Sequence, residues 1–560
     1  MQERSKNCRQ CQTVFVVTDE DRAFLKKIAP TFAGKRFDIP HPTLCPDCRQ
    51  QRRITQINEF HLYRRTCDLT GKSIIADIHP LTPYKVYDQE VWYSDKWDAM
   101  DYGREFDFKR PFFEQYYELT LVVPHFNLFT GYQYDINCDY TNYAGKNKDC
   151  YLIFDADECQ DCSYCYSLNS SKDTVDCYRT RLMELCYECV DCLKCYNGHF
   201  LQDCSNCRDS AFLKNCIGCS HCLMCSNLQN KEYHLHNRPV SKETFEQAMR
   251  SLSSRSVIDE AKKQFAEFTL TFPQKALHGV QNEDVFGDYL TECKNVRTCF
   301  DSTRLWDCAY VWRSFLPVKD AMDCQDIGDG ELLYECSGVG YSAHNMLFSA
   351  NCLDTLNNYL YSTFCMHCKD LFGCCGLRHK QYCIFNKQYT KEEYEKTVAK
   401  ILEHMHKTGE WGEFFPVQHS PFAYNETQAN AYYPLTKAEV LARGWQWREK
   451  DPKDYQLQKF ITPDAIDAVS DTVIDDVLAC RTCKKNYRII TKELTFYRRK
   501  NLPLPIDCFD CRHDVRRNKR NPRALFTRTC AKCQKSIKTT YAPERPEIVY
   551  CEECYRAAIY

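Results

Sequence analysis

From Cys138 to Leu228 the chain keeps a three-residue beat. Of the thirty-one positions taken every third residue, sixteen are cysteine, four leucine, one isoleucine and one methionine, and none is charged. The remainder are Ala, Gly, Ser, Thr and the single Asn147. A half-buried strand alternates with period 2 and a helix with period 3.6, so neither fits this register. Packed polyproline helices share the period but need abundant glycine at their contacts, and the whole chain has 18 glycines. What remains is a narrow β-solenoid of very short strands, with an inward residue on each side of the coil. Cys192, Cys204 and Cys216 stand twelve apart, as do Cys195, Cys207 and Cys219, which predicts a twelve-residue rung. Stacking would bring equivalent cysteines to about 4.8 Å from one another. Asp149, Asp161, Asp176, Asp191, Asp203 and Asn215 each precede a cysteine. Their side chains can bond the backbone at each corner, letting the coil turn without glycine. A carboxylate row that binds cations is the alternative.

The beat returns over 290–377 with register slips. One phase runs Cys293, Val296, Cys299, Ser302, Leu305, Cys308 and Val311. Another runs Ala321, Cys324, Ile327, Gly330, Leu333, Cys336 and Val339, and Cys365, Cys368, Leu371 and Cys374 close it. This ending repeats the first at an offset of 149, so that Cys216, Leu228, Tyr233 and Asn237 become Cys365, Leu377, Tyr382 and Asn386. Each copy leads into a polar-capped helix, SKETFEQAM at 241–249 and TKEEYEKTV at 390–398. Such helices are expected to cover the open ends, where unpaired strand edges invite association.

Outside the beat, cysteines come in pairs two residues apart. Cys8, Cys11, Cys45 and Cys48 make one quartet, Cys480, Cys483, Cys508 and Cys511 a second, and Cys530, Cys533, Cys551 and Cys554 a third. Two tight turns of this spacing complete a tetrahedral four-sulfur site, so three structural zinc ions per chain are expected. Iron in a rubredoxin-like site and a redox dithiol are the alternatives. Four protein ligands leave no position for catalytic water. Residues 45–93 align without a gap on 508–556, but Thr70, Asp88 and Val91 stand where the C-terminal copy has Cys533, Cys551 and Cys554. A ribbon over 62–93 that folds without metal is therefore expected, held by packing of residues such as Trp92 and Trp97.

The expected fold class is mainly β: two cysteine-rich, narrow β-solenoid lobes with short capping helices, flanked by terminal zinc ribbons. The expected segments are an N-terminal zinc ribbon at 1–60 and a metal-free ribbon with an aromatic stretch at 61–135. The first solenoid follows at 136–240, a helical cap and connector at 241–289, and the second solenoid at 290–389. A cap and aromatic linker at 390–479 precedes zinc ribbons at 480–524 and 525–560.

Charge changes the picture of function. Residues 1–66 carry a net +6 and 480–560 a net +12, leaving −20 between them. Basic ends suggest a polyanion, with RNA favoured, or a ribonucleoprotein. The alternative is that the ends dock onto the acidic middle of their own or another chain. The residues expected to meet phosphate are Arg49, Arg52 and Arg53, with Arg498, Arg499, Lys500, Arg512, Arg516, Arg517, Lys519 and Arg520. No run of about 18 apolar residues exists and the N-terminus MQERSKNCRQ lacks the apolar stretch of a secretory signal, so a reduced, cytoplasmic protein without a membrane partner is expected. Homo-oligomerisation is left open.

Enzymatic signals are few. No phosphate loop, dinucleotide fingerprint, nucleophile elbow or zinc-protease motif occurs. Cys186, Cys189, Cys192 and Cys195 approach a ferredoxin run, but the last spacing is short and the proline is missing. Thiol redox or metal handling is thus an alternative to a scaffold. Asp320, Asp323, Asp326 and Asp329 follow the beat and not the spacing of an EF-hand. His419, Asn425 and Glu426 lie close together in the segment 411–440, which reads as a turn network without a nucleophile, and an enzyme using this loop is the least favoured alternative.

CPDCRQQRR at 45–53, CDLTGKSI at 67–74, VYDQEVWYSDKWD at 86–98, NKQYTKEEYEK at 386–396 and WGEFFPVQHSPFAYNET at 411–427 form a distinctive set. Through them nearly the full chain resembles an uncharacterised family of cysteine-rich zinc-ribbon proteins from genome-reduced, ultrasmall bacteria. The paired-knuckle modules resemble probable zinc-ribbon domains. The resemblance implies zinc and no reaction; the CoA-transferase label carried by some members has no chemical counterpart among these residues. The resulting expectation is a non-enzymatic scaffold or adaptor whose basic ribbons contact nucleic acid.

Overall fold

In the computed structural model, every third residue from Asn137 to His236 has φ between +47° and +65°. The structure describes residues 4–131, 133–306, 318–319, 322–323, 330–331, 334–338, 343–350, 355–449 and 455–559. A left-handed L-residue costs about 1 kcal/mol, so such a coil stands only if its other residues are well bonded. They are. Each step has a left-handed corner, an inward residue and a residue on the flat side. The side residue's N–H donates one rung onward, as Lys148 does to Cys159 O (2.9 Å) and Tyr151 to Cys162 O (3.0 Å). The corner N–H reaches one rung back, as Asp161 does to Lys148 O (3.0 Å). Pairing is parallel with a twelve-residue register, for instance Tyr151↔Ser163 and His199↔Ala211.

The inward residues form one buried cluster from Cys150 to Cys225, against which Cys138 and Leu228 pack. Here cysteine is more than a small hydrophobe. The Cys150 thiol donates to Lys148 O (3.3 Å), Cys162 to Gln160 O (3.3 Å), Cys165 to Ser163 O (3.1 Å) and Cys204 to Gln202 O (3.2 Å). Where serine takes the position it does the same, Ser210 to Arg208 O (2.7 Å). A valine or alanine would leave that carbonyl without this donor. The corner aspartates act differently from expectation: their tolerance of positive φ makes the turn. Their carboxylates bond other side chains, Asp149 accepting from Asn137 Nδ2 (2.7 Å) and Asp161 from Lys492 Nζ (2.9 Å).

The chain divides into two units, residues 1–128 with 277–449 and residues 129–276 with 450–560. The ladder just described belongs to the second unit; the first holds the ladder that begins at Gly279. Its register varies: eleven residues at Gly279↔Leu290, twelve at Leu356↔Cys368, thirteen at Ala343↔Leu356. Where the register shifts, Gly287 packs so closely that a Cβ would lie 1.7 Å from Cys299 O. At Gly373 a Cβ would lie 2.7 Å from the Phe385 ring, beside Phe112. Phe112 opens the helix Phe112–Val122, whose Phe112, Phe113, Tyr116 and Leu119 are buried, so the aromatic stretch is core. Cys308, Val311, Ala321, Cys324, Ile327, Leu333, Val339, Asp320, Asp326 and Asp329 lie outside the described residues.

Both ladders end by one device. Asn237 turns the chain back on itself, accepting from Ser226 N (2.9 Å) and donating to Ser226 O (2.9 Å). Asn386 repeats this with Cys375 N (2.9 Å) and Cys375 O (2.8 Å). An amide side chain thus takes the place of the next rung, and short antiparallel pairs close both stacks. The helix Lys242–Ser251 packs beside the last strands of one ladder. Its counterpart is longer than expected, Lys391–Thr408, because Tyr394, Val398, Ile401, Leu402 and Met405 continue one buried stripe. Helix and strand occupy similar shares of the chain, so "mainly β" understates the helical part.

Candidate metal centres and their basic helices

The three quartets converge. In each, the four Sγ atoms lie within 4.8 Å of one another. Thiol pairs approach to 3.7 Å (Cys11–Cys45), 3.6 Å (Cys483–Cys508) and 3.8 Å (Cys533–Cys551). A tetrahedron of sulfurs about 2.3 Å from a zinc ion has edges of about 3.8 Å, so the donor set fits such an ion. Each first knuckle is the same turn. Cys8 N donates to Thr13 O, Cys480 N to Lys485 O and Cys530 N to Lys535 O, all at 2.8–2.9 Å. The residue after the second cysteine takes positive φ, at Gln12 (61°), Lys484 (65°) and Gln534 (62°). Cys45 and Cys508 sit at the N-termini of the helices Pro46–Ile54 and Phe509–Arg517, where the helix dipole favours a thiolate. Burial pushes the Cys530 thiol up, but the N–H groups of Cys533, Cys551 and Lys532 outweigh it and bring it to about 6.

The module 62–93 keeps this geometry without the quartet. Cys67 N donates to Lys72 O (2.8 Å), and Asp88 N to Cys67 Sγ at 3.3 Å, the distance from Cys551 N to Cys530 Sγ. The hairpins share one register, Tyr63↔Ala76 matching Phe526↔Thr539. In both units the following strand pairs in parallel with a second segment, Val86–Tyr87 with His125–Phe126 and Val549–Tyr550 with Gln274–Lys275. Trp92, fully buried, donates its indole N–H to Pro124 O (2.8 Å) and packs on Trp97 and Phe126.

The basic helices behind the knuckles point inward. Arg49, Arg53, Arg512 and Arg516 are buried, which corrects the expectation that they meet phosphate. In the first unit Arg49 Nε donates to Asp323 Oδ2 (2.5 Å), and Arg53 lies 3.6 Å from the same carboxylate. Arg52 bonds both Glu335 oxygens (2.8 Å each) and Glu413 (2.7 Å). In the second unit Arg512 and Arg516 grip Asp176, the latter at 2.9 Å, and Arg512 also lies 3.6 Å from Glu493. Tyr164 and Tyr497 donate to Glu493 at 2.7 and 3.2 Å. Burial pushes Glu493 up to about 7 against the pull of Arg512. The other expected contacts are also engaged: Arg498 with Asp471 (2.5 Å), Arg499 with Asp173 (3.3 Å), Arg517 with Asp514 (3.0 Å) and Lys519 with Glu188 (3.8 Å). Lys500 bonds Asn197, and Arg520 pairs with Asp191. Lys492, Arg499, Arg512, Arg516, Lys519 and Arg520 thus pair with acidic residues of the ladder in their own unit, the kind of contact the docking alternative describes.

Asp176, Asp323, Glu335 and Glu493 complete these clamps and were not singled out for that role from sequence. The signal for them is the pairing of a strongly acidic middle with helices that carry arginines four apart. Asp323 serves the clamp. The segment 411–440 straps the first unit's ribbon helix: Ser420 Oγ donates to Thr55 O (2.7 Å), Gln428 N to Ile57 O (3.0 Å), and Gln51 Nε2 to Tyr424 OH (2.6 Å). Glu426 accepts from Ala423 N (2.7 Å) and Tyr63 OH (2.5 Å), a turn network as read from sequence. His419 borders a cavity of about 40 Å³ lined also by Tyr84, Tyr116 and His125. That volume admits a few waters, not a substrate. Among the described residues, no group of three or more metal-ligating side chains converges besides the three quartets, so the run Cys186–Cys195 does not gather round one point. No helix among the described residues is long and apolar enough to cross a membrane. Comparison with protein families, with curated proteins and with solved structures finds no match for the chain.

Proposed function

We propose that the protein is a non-enzymatic scaffold in which zinc fixes each four-cysteine ribbon and the basic helices of two of the three ribbons each clamp a narrow β-solenoid. The observation that carries this reading is the repeated clamp: Arg49 and Arg53 on Asp323 in one unit, Arg512 and Arg516 on Asp176 in the other. Zinc is favoured by an all-thiolate, closed donor set, which also argues against catalysis at the metal. The solenoid reading is supported by the twelve-residue parallel register and the inward thiols. Protonated thiols spent as hydrogen-bond donors suit a reduced, cytoplasmic setting and weigh against thiol redox or metal storage in the ladder.

Metal analysis of the purified chain tests the reading. Three zinc ions and a colourless sample are expected; further metals or visible absorbance would favour the redox alternative. Nucleic acid, RNA in preference, or a ribonucleoprotein is the second reading. It is supported by the exposed Lys484, Arg488, Lys532 and Lys535 on the ribbons of the second unit. It requires a gel shift with bulk RNA that weakens steeply as salt rises, and salt-insensitive or absent binding removes it.

A further inference from the structure

Three of the four corner columns of the ladder in the second unit meet ribbon cations, through Asp161 and Asp173, through Asp176 and Glu188, and through Asp191. The fourth is different. It runs through Leu182 and Lys194, and it joins the side that holds Leu193 and Ile217 to the side that holds Tyr196 and Arg208. Leu182, Leu193, Tyr196 and Ile217 are 47%, 41%, 44% and 38% exposed. Leu193 and Tyr196 flank Lys194 on one rung, Leu182 lies one rung before and Ile217 two rungs after, so the four line one ridge as a strip interrupted by the rung of Ser205 and Asn206.

The charge of this ridge is reversed. Residues 136–230 carry thirteen acidic side chains against eight basic ones, whereas this corner and its two sides carry three against six. Lys194 and Arg208 are exposed beside the apolar strip. We infer that this ridge is a docking surface for a protein segment that is both acidic and apolar. Complementary charge would steer and orient such a segment. The aliphatic side chains would form a dry centre, with Tyr196 and Arg208 as the residue types that most often anchor interfaces. Leucine and isoleucine give nothing to phosphate or base stacking, which favours a protein over a nucleic acid here. The inference takes the scaffold reading as its premise, since it supplies the scaffold's partner.

The test uses the full, metal-loaded chain and a labelled peptide that alternates glutamate with leucine, with a lysine–leucine peptide and an oligouridylate as comparisons. Saturable binding of the glutamate–leucine peptide is expected. The pair Lys194→Glu with Arg208→Glu, and separately Leu193→Ser with Tyr196→Ser, should each weaken it at least about tenfold. Absent binding, or binding unchanged in both variants, overturns the inference. An oligouridylate that binds and is lost with the same substitutions overturns it in favour of nucleic acid. All four positions are exposed, so metal content and melting temperature should stay at parental values in both variants. Failure of the scaffold reading would show instead in the metal count of the parent.

Discussion

The two ribbon pairs solve one folding problem in two ways. In the second unit both modules carry a quartet; in the first, the module 62–93 has the same hairpin, the same knuckle bond to Cys67 and the same parallel partner strand, yet Thr70, Asp88 and Val91 replace three ligands. What differs, besides the ligands, is the aromatic at one equivalent buried position, Trp92 in the first unit and Tyr555 in the second. Trp92 is fully buried against Trp97 and Phe126, and its N–H is satisfied by Pro124. The turn's backbone is thus the same with the quartet complete or with three of its ligands replaced. The ribbon's backbone instructions are written in the hairpin.

The largest effect expected from this comparison comes from removing metal. A structural zinc site contributes about 10 kcal/mol or more to its domain. Chelation should abolish amide protection at Phe526–Thr529 and Ser536–Thr539 while leaving Tyr63–Thr66 and Ser73–Ala76 protected, read by hydrogen exchange. Equal loss in both modules would contradict a metal-independent fold for the module 62–93. Next, Trp92→Ala should destabilise the first unit by about 3–5 kcal/mol without changing the metal count. A fall in bound metal would mean that the module depends on the ribbon before it. Restoring the ligands by Thr70→Cys, Asp88→Cys and Val91→Cys together should raise the count from three to four, if the shared backbone is as competent as the matching 3.3 Å bonds to Cys67 and Cys530 indicate.

The smallest effect concerns pH. Glu493 is held near 7, above the carboxyl range of an unfolded chain, so the folded state keeps a proton that the unfolded state releases from about pH 4.5. Its contribution is fully present below that pH, and stability should fall as pH rises towards 7. Glu493→Gln should flatten that slope in urea titrations at several pH values. An unchanged slope would assign it to other groups.

Much of this was legible in the residues. A period of three excluded strand and helix alike, and cysteines twelve apart fixed the rung that Tyr151↔Ser163 displays. The quartets and both internal offsets, 463 and 149, needed only spacing. The clamps did not show, because many acidic corners compete for each arginine and only packing chooses Asp176. The thirteen-residue rungs at Gly330↔Ala343 and Ala343↔Leu356 were hidden as mere slips of register. Arginine four residues from arginine reads as a solvated, phosphate-seeking face until a carboxylate is known to lie beneath it.

The central claim is that buried arginines lock one ribbon of each unit onto that unit's ladder. A double-mutant cycle between Arg516 and Asp176, with unfolding free energies of the full chain for Arg516→Met, Asp176→Asn and the pair, tests it most directly. Breaking a buried pair from one side costs about 3–5 kcal/mol, and the cycle should return a coupling of about 2–3 kcal/mol. Additivity within about 0.5 kcal/mol would contradict the account.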